Sequence, residues 1–192
     1  MQGSLAPRIE LSKAAKAIDG MEGAATLEDF EEQWKTFLQR LERSFNKAQA
    51  HFKKSPKWDS WWGKYKALRN NDELLSYLIN ARGAEEHSVE EIVSRVGGGL
   101  VISPAFGNAL VINKMIISNG AIAEFKSPHP VRVDFLPQRT KLLPVLNRGR
   151  TYGVPTKHLG LPIDSQNVIE IANMGIKFYD EFLIAAEKYF VH

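Results

Sequence analysis

The sequence predicts an α+β fold that is mainly helical. It reads as a four-helix bundle with a small antiparallel sheet inserted before the last helix. Three observations carry this. A long apolar stripe at helical spacing fills residues 26–53, a second fills 165–190, and the chain between 100 and 136 changes to β-branched residues broken by Pro, Gly and Asn. At 192 residues the chain fits a single domain with a substantial core. The helical part is expected over 26–97 plus 165–192, and the β-rich insertion over 100–160.

Residues 5–19 predict a short first helix, stopped near Gly20 and Gly23. Thr26 then reads as an N-cap with Glu28 and Asp29 in the first turn. Leu27, Phe30, Trp34, Phe37, Leu38, Leu41, Phe45, Ala48 and Phe52 follow at three- and four-residue steps. Ser55-Pro56 reads as cap and first helical position of the next element. Its aromatic stripe of Trp58, Trp61, Trp62 and Tyr65 reads as core. Asp72 can cap another helix, buried through Leu74, Leu75, Leu78 and Ile79 and expected to run to about Arg95. Gly97-Gly98-Gly99 reads as its stop.

Strands are expected near 100–103, 108–118, 121–126 and 131–136, with one more near 141–146. The rest of 140–164 reads as irregular. The last helix buries Val168, Ile171, Ala172, Gly175, Phe178, Tyr179, Phe182, Leu183, Ala186 and Phe190.

Composition narrows the chemistry. There is no cysteine, which excludes disulfides, thiolate catalysis and cysteine-held metals. No apolar run reaches the ~20 residues of a membrane helix, and the N-terminus lacks the apolar core of a signal peptide. A cytoplasmic location is expected. The net charge of +3 is unevenly spread. Residues 10–32 are acidic. Residues 43–69 and 126–157 are basic, with Asp59 and Asp134 as their only acids, and such segments can attract phosphate.

No glutamate has a histidine three residues later, as a di-iron bundle needs. Phosphate-binding glycine loops and the Gly-x-Ser-x-Gly elbow are absent from the sequence. No cofactor or metal is expected. His129 and His158 read as loop residues. Arg148, Arg150, Tyr152, Lys157 and His158 form an irregular cationic segment able to take an anion. Arg82 and His87, in "NARGAEEH", remain the best candidate pair. Five residues apart on an ideal helix, they differ in direction by about 140°, so a break at Gly83, the reach of Arg82 or a second subunit would have to join them. Otherwise Arg82 pairs with Glu85 or Glu86 and His87 is a solvated helix end.

The stretch "FLQRLERSFNKAQAHFKKSPKWDSWWGKYKALRNNDELLSYLINARGAEEH", residues 37–87, resembles the HEPN superfamily of small helical-bundle proteins. The resemblance covers about residues 26–95, and the final helix would be the fourth member of the bundle. It rests on the long amphipathic helix, the Trp-containing second helix and an Arg-x4-His motif ending the third. In active members this arginine and histidine form a metal-independent ribonuclease site, usually at a homodimer interface. The resemblance implies that role for Arg82 and His87, with RNA as substrate, a homodimer as the working unit, and toxin–antitoxin or phage-defence biology as the setting. The residue after the arginine is commonly Asn, Asp or His in such proteins; here it is Gly83. The alternative reading is a non-catalytic HEPN-like module that binds RNA or protein or dimerises. Gly83, Glu85 and Glu86 motivate it, and the β-rich region would supply a protein-partner surface.

Overall fold

The computed structural model describes residues 5–87, 93–96, 99–136, 139–165 and 167–190, except for the side chains of 85–87, 93–96, 99, 135–136 and 139. Among these residues it contains five helices and several two-stranded antiparallel sheets. They form two compact units. One comprises residues 1–95 and 140–192, and the other 96–139.

Helix α2 (Leu27–Phe52) forms as its stripe predicts. Thr26 Oγ1 accepts from Asp29 N at 3.0 Å, and the Asp29 carboxylate accepts from Thr26 N at 3.2 Å, a complete capping box. Every residue of the stripe is buried except Leu27, which is half-buried. Helix α5 (Val168–Phe190) buries its expected face, with Phe190 partly covered. Gly175 lets α5 approach its neighbour: a Cβ there would lie 2.8 Å from Leu78 Cδ1.

Helix α1 (Leu5–Glu22) is longer than its sequence suggests and belongs to the core. Ala14, Ala17, Ile18 and Met21 are buried, and the helix packs on α2 and α5. Arg8 ties it to Asp180 and Glu187 of α5. Glu10 on α1 is buried, yet accepts from Arg40 at 2.9 Å and Lys47 at 2.7 Å. The Lys47 hydrogen bond, opposed by burial and aided by Arg40, holds its carboxyl at about 2 against an ordinary 4.5. Its stabilisation is therefore fully present above pH 4.5 and is lost as pH falls through 2. Glu10→Gln is expected to cost about 2 kcal/mol at pH 7 and almost nothing near pH 2. Denaturant titrations at both pH values check this; a pH-independent difference contradicts it.

Helix α3 (Trp58–Asn71) starts later than Ser55-Pro56 suggests. Residues 55–58 close a turn first, with Trp58 N donating to Ser55 O at 3.0 Å, and Lys57 is the cap residue. Trp58, Trp61 and Trp62 join Phe45, Phe182 and Phe190 in one aromatic cluster, as core rather than an exposed platform.

Helix α4 (Glu73–His87) carries Asp72 as its cap: Leu75 N donates to Asp72 Oδ1 at 3.0 Å. The helix does not reach Arg95. Residues 93–96 are a strand, β1 (Val93–Val96), paired with β6 (Arg139–Leu142). The helical spacing of Val93 and Val96 is overridden by this long-range pairing, which suits β-branched residues. The triple glycine is not a helix stop either, since Gly99 opens strand β2 (Gly99–Pro104).

In the second unit β2 pairs with β5 (Val131–Leu136), while β3 (Lys114–Ser118) and β4 (Ala121–Lys126) form a hairpin. The expected strand over 108–118 is confined to β3. Asn119 and Gly120 both have positive φ, as a tight hairpin turn with right-handed strand twist requires. All of β3 is exposed, including Met115, Ile116 and Ile117.

The stretch 140–162 is more ordered than expected. Beyond β6 it contains β7 (Val145–Asn147), β8 (Arg150–Tyr152), β9 (Lys157–His158) and β10 (Leu161–Pro162). These strands belong to the helical unit, and β7, β8 and β9 contact α4. Leu142 and Val145 plug the core.

Candidate functional site

The candidate site lies where the β7–β8 hairpin runs along α4. Val145 pairs with Tyr152 and Asn147 with Arg150, so the turn is Arg148-Gly149, both at positive φ. The base of the hairpin lies beside the middle of α4: Tyr77 Oη donates to Leu143 O at 2.6 Å. Burial raises the pKa of this phenol, which stays protonated. The other end of the hairpin meets α4 about one turn further along, where Asn147 Nδ2 donates to Asn80 Oδ1 at 2.9 Å. Asn80 Nδ2 in turn donates to Ser76 O at 2.7 Å.

Gly83 makes this contact feasible. A Cβ at position 83 would lie 2.5 Å from Asn147 Nδ2 and 3.1 Å from its Oδ1. The Asn147 amide therefore occupies the space that a side chain at 83 would take. Its Oδ1 is buried and has no hydrogen-bond partner among the described residues. An unmet buried acceptor costs about 1–3 kcal/mol, so this atom is poised to take a donor.

Arg82 is half-buried on the same turn. His87 is the last residue of α4, and its side chain lies outside the described residues. Asn80, Gly83 and His87 recur at helical spacing, so their Cα positions share one stripe, whereas Arg82 lies off it. The helix is unbroken at Gly83, so the two residues of the pair remain on different faces of α4 within one chain. Glu85 and Glu86, the alternative partners for Arg82, have side chains outside the described residues.

The other sequence candidates separate. Arg148 and Arg150 are exposed at the hairpin end, and the Arg150 guanidinium lies 5.1 Å from the Tyr152 ring centroid. Lys157 and His158 serve a clamp on the opposite end of α4. His158 Nδ1 lies 2.9 Å from Asp72 Oδ1, Leu159 N donates to Asp72 Oδ2 at 2.6 Å, and Glu73 Oε2 accepts from Thr156 N, Thr156 Oγ1 and Lys157 N. The Thr156 backbone and hydroxyl donors hold the Glu73 carboxyl below its ordinary pKa, so it is ionised at neutral pH. His129 is an exposed loop residue whose carbonyl accepts from Ser127 Oγ. Among the described residues no three His, Asp or Glu side chains converge as metal ligands would.

The basic segment 43–69 is less available than its composition suggests. Lys47 serves Glu10. Arg69 is buried, bonded to Glu42 and Tyr179 and stacked 3.4 Å from the Phe45 ring centroid. Nothing local in the sequence distinguishes Asn147. Its only cue is an Asn-Arg-Gly turn between short alternating segments.

The Gly83–Asn147 contact yields a direct expectation. An alanine in a helix interior is normally better than glycine by about 1 kcal/mol. Gly83→Ala in the wild-type background is expected to lose that gain, because it displaces Asn147 from Asn80. In an Asn147→Ala background it is expected to stabilise by about 1 kcal/mol. Urea unfolding of the four proteins measures the coupling, and additive effects would disprove the packing argument.

No family model, curated protein or solved structure matches the chain. Among the described residues no helix is long and apolar enough to cross a membrane.

Proposed function

We propose that the protein is a HEPN-like, metal-independent endoribonuclease whose reacting groups are Arg82 and His87. The observation that carries this reading is the C-terminal end of α4. There Arg82 is half-buried, His87 ends the helix, and Gly83, on the same stripe as His87, abuts the Asn147 amide at the end of β7.

RNA supplies its own nucleophile. His87 takes the 2′-hydroxyl proton, and the oxygen attacks the adjacent phosphorus. The bond to the 5′-oxygen breaks, and that oxygen takes a proton from an acid in the site. The products are a 2′,3′-cyclic phosphate and a 5′-hydroxyl end. Arg82 holds the phosphate by paired hydrogen bonds and stabilises its growing charge. Because about 140° of helix separates the two residues, a second subunit completes the site, with two histidines dividing acid and base roles. Asn147 stands where position 83 has no side chain and contributes a fixed amide to the same turn.

The test is incubation of single-stranded RNA with the purified protein in excess chelator, with end-group analysis. Cyclic-phosphate ends that disappear in both Arg82→Ala and His87→Ala support the reading. Cleavage unchanged in both variants removes this site from the mechanism. The exposed apolar strand β3 favours a second reading, a binding module that holds a protein partner. Tight RNA or protein binding without any turnover would favour that one.

A further inference from the structure

We propose that strand β3 is an interface with a second copy of this chain. Two β3 strands pair antiparallel about a twofold axis through Ile116 and join two hairpins into one four-stranded sheet. The hairpin lies outside the residues that carry the HEPN resemblance, and the inference does not depend on the ribonuclease reading.

The hairpin by itself is an incomplete sheet. Strands β3 and β4 pair only with each other among the described residues. A lone two-stranded hairpin is marginal in water, and three or more strands with an apolar face are needed for stability. No described residue of 100–134 is buried, and Met115, Ile116 and Ile117 are 45%, 42% and 63% exposed. Met115 is opposite Phe125 and Ile117 opposite Ile122, so these four side chains make one apolar face. Lys114, Ile116, Glu124 and Lys126 lie on the other.

The edges decide which strand pairs. Exposed edge strands are normally blunted by prolines, charges or bulges. Strand β2 contains Pro104, and β5 carries Arg132 and Asp134. Strand β4 is bulged: Ile116 is opposite Glu124 and Ile117 opposite Ile122, which leaves Ala123 unpaired. Strand β3 has no proline, no acid and no extra residue. Its one charge, Lys114, stands at its first position with Nζ 2.5 Å from Glu124 Oε2.

The residues of β3 select their own copy. With the axis at Ile116 the whole strand overlaps its counterpart. Ile116 then faces the second copy's Ile116, Met115 faces Ile117, and Lys114 faces Ser118. No like charges meet. The two Lys114 residues are four positions, about 14 Å, apart along the strands, beyond the ~8–10 Å reach of screened charges. The apolar pairs Met115–Phe125 and Ile117–Ile122 each continue into the other pair of the second copy, so one apolar face runs across all the strands. A foreign partner would need a strand of matching pattern, whereas a second copy supplies one at equal concentration.

The test uses the full-length chain, which has no cysteine, so an introduced one is a unique probe. A disulfide needs Cα atoms about 4.4–6.8 Å apart, and residues directly opposite in antiparallel strands lie about 4.5–5.5 Å apart. Ile116→Cys is expected to give a disulfide-linked dimer under mild oxidation. Lys114→Cys and Ser118→Cys are expected to stay unlinked alone and to link to each other when mixed. Wild-type protein is expected to sediment as a dimer at micromolar concentrations. Ile116→Lys sets two ammonium groups opposite each other and should weaken self-association at least about tenfold. Its far-UV circular dichroism and unfolding curve should not change, because position 116 is exposed. Equal linking at all three cysteine positions reports random collision and overturns the proposal. A wild type whose self-association is undiminished by Ile116→Lys also overturns it. A dimer built only at the end of α4, as the ribonuclease reading requires, would behave in that way, so the two are told apart. A monomeric wild type that binds phospholipid vesicles overturns it in favour of a lipid surface.

Discussion

Chelator-resistant RNA cleavage is expected to fall by about 10²–10⁴ in His87→Ala and by about 10²–10³ in Arg82→Ala. The first range is what a positioned general acid–base supplies, and the second is the loss of one donor set to a developing oxyanion. Arg82→Lys should recover little, because an ammonium offers a point charge where a planar fork is needed. The double variant should be scarcely worse than His87→Ala, since groups acting in one step are not additive. If His87 acts as base in one subunit and acid in the other, mixing His87→Ala with Arg82→Ala protein does not restore cleavage, because each mixed dimer keeps a single histidine. Both single variants retaining wild-type rates would end the reading, and so would a requirement for added metal. Asn147→Ala should give an intermediate loss, because it removes an amide that stands beside the site without contacting the reacting bond.

The candidate site at the end of α4 was only partly legible in the sequence. Strongly periodic segments such as α2 and α5 were readable because their burial is set by neighbours three and four residues away. The end of α4 was not. Val93 and Val96 continue a helical spacing, but they pair with Arg139–Leu142, and a partner more than 40 residues distant leaves no local trace. Gly83 shows the same limit. Read alone, it is a missing polar side chain. In the fold it is the opening through which Asn147, 64 positions later, brings an amide to the same turn. The residues expected as one insertion, 100–160, divide for a related reason. Leu142, Val145 and Pro155 are the only buried residues among the described ones of 140–162, too few for periodicity to reveal, yet the stretch contacts α4 through β7, β8 and β9. Charge counting failed where burial intervened, as at Arg69.

Arg69→Met is expected to lower stability by about 3–5 kcal/mol, the largest loss of any single change considered. The guanidinium donates to Tyr179 Oη at 2.9 Å, pairs with Glu42 and lies 3.4 Å from the Phe45 ring centroid. Methionine preserves the stem packing. It leaves the Glu42 carboxylate, 18% exposed, without its cation, and the Tyr179 hydroxyl, fully buried, without its donor. The cost is therefore mostly that of the partners left behind rather than the worth of the pair. A second change separates these. Glu42→Leu in the Arg69→Met background removes the stranded carboxylate and should restore most of the loss, whereas Glu42→Leu alone strands the arginine and should cost several kcal/mol. Tyr179→Phe alone should be milder, about 1 kcal/mol, because it removes one neutral acceptor. Urea midpoints for the five proteins decide the matter. Additive losses for Arg69 and Glu42 would mean that each packs independently, and the buried pair would then not be what joins α2, α3 and α5 at this point.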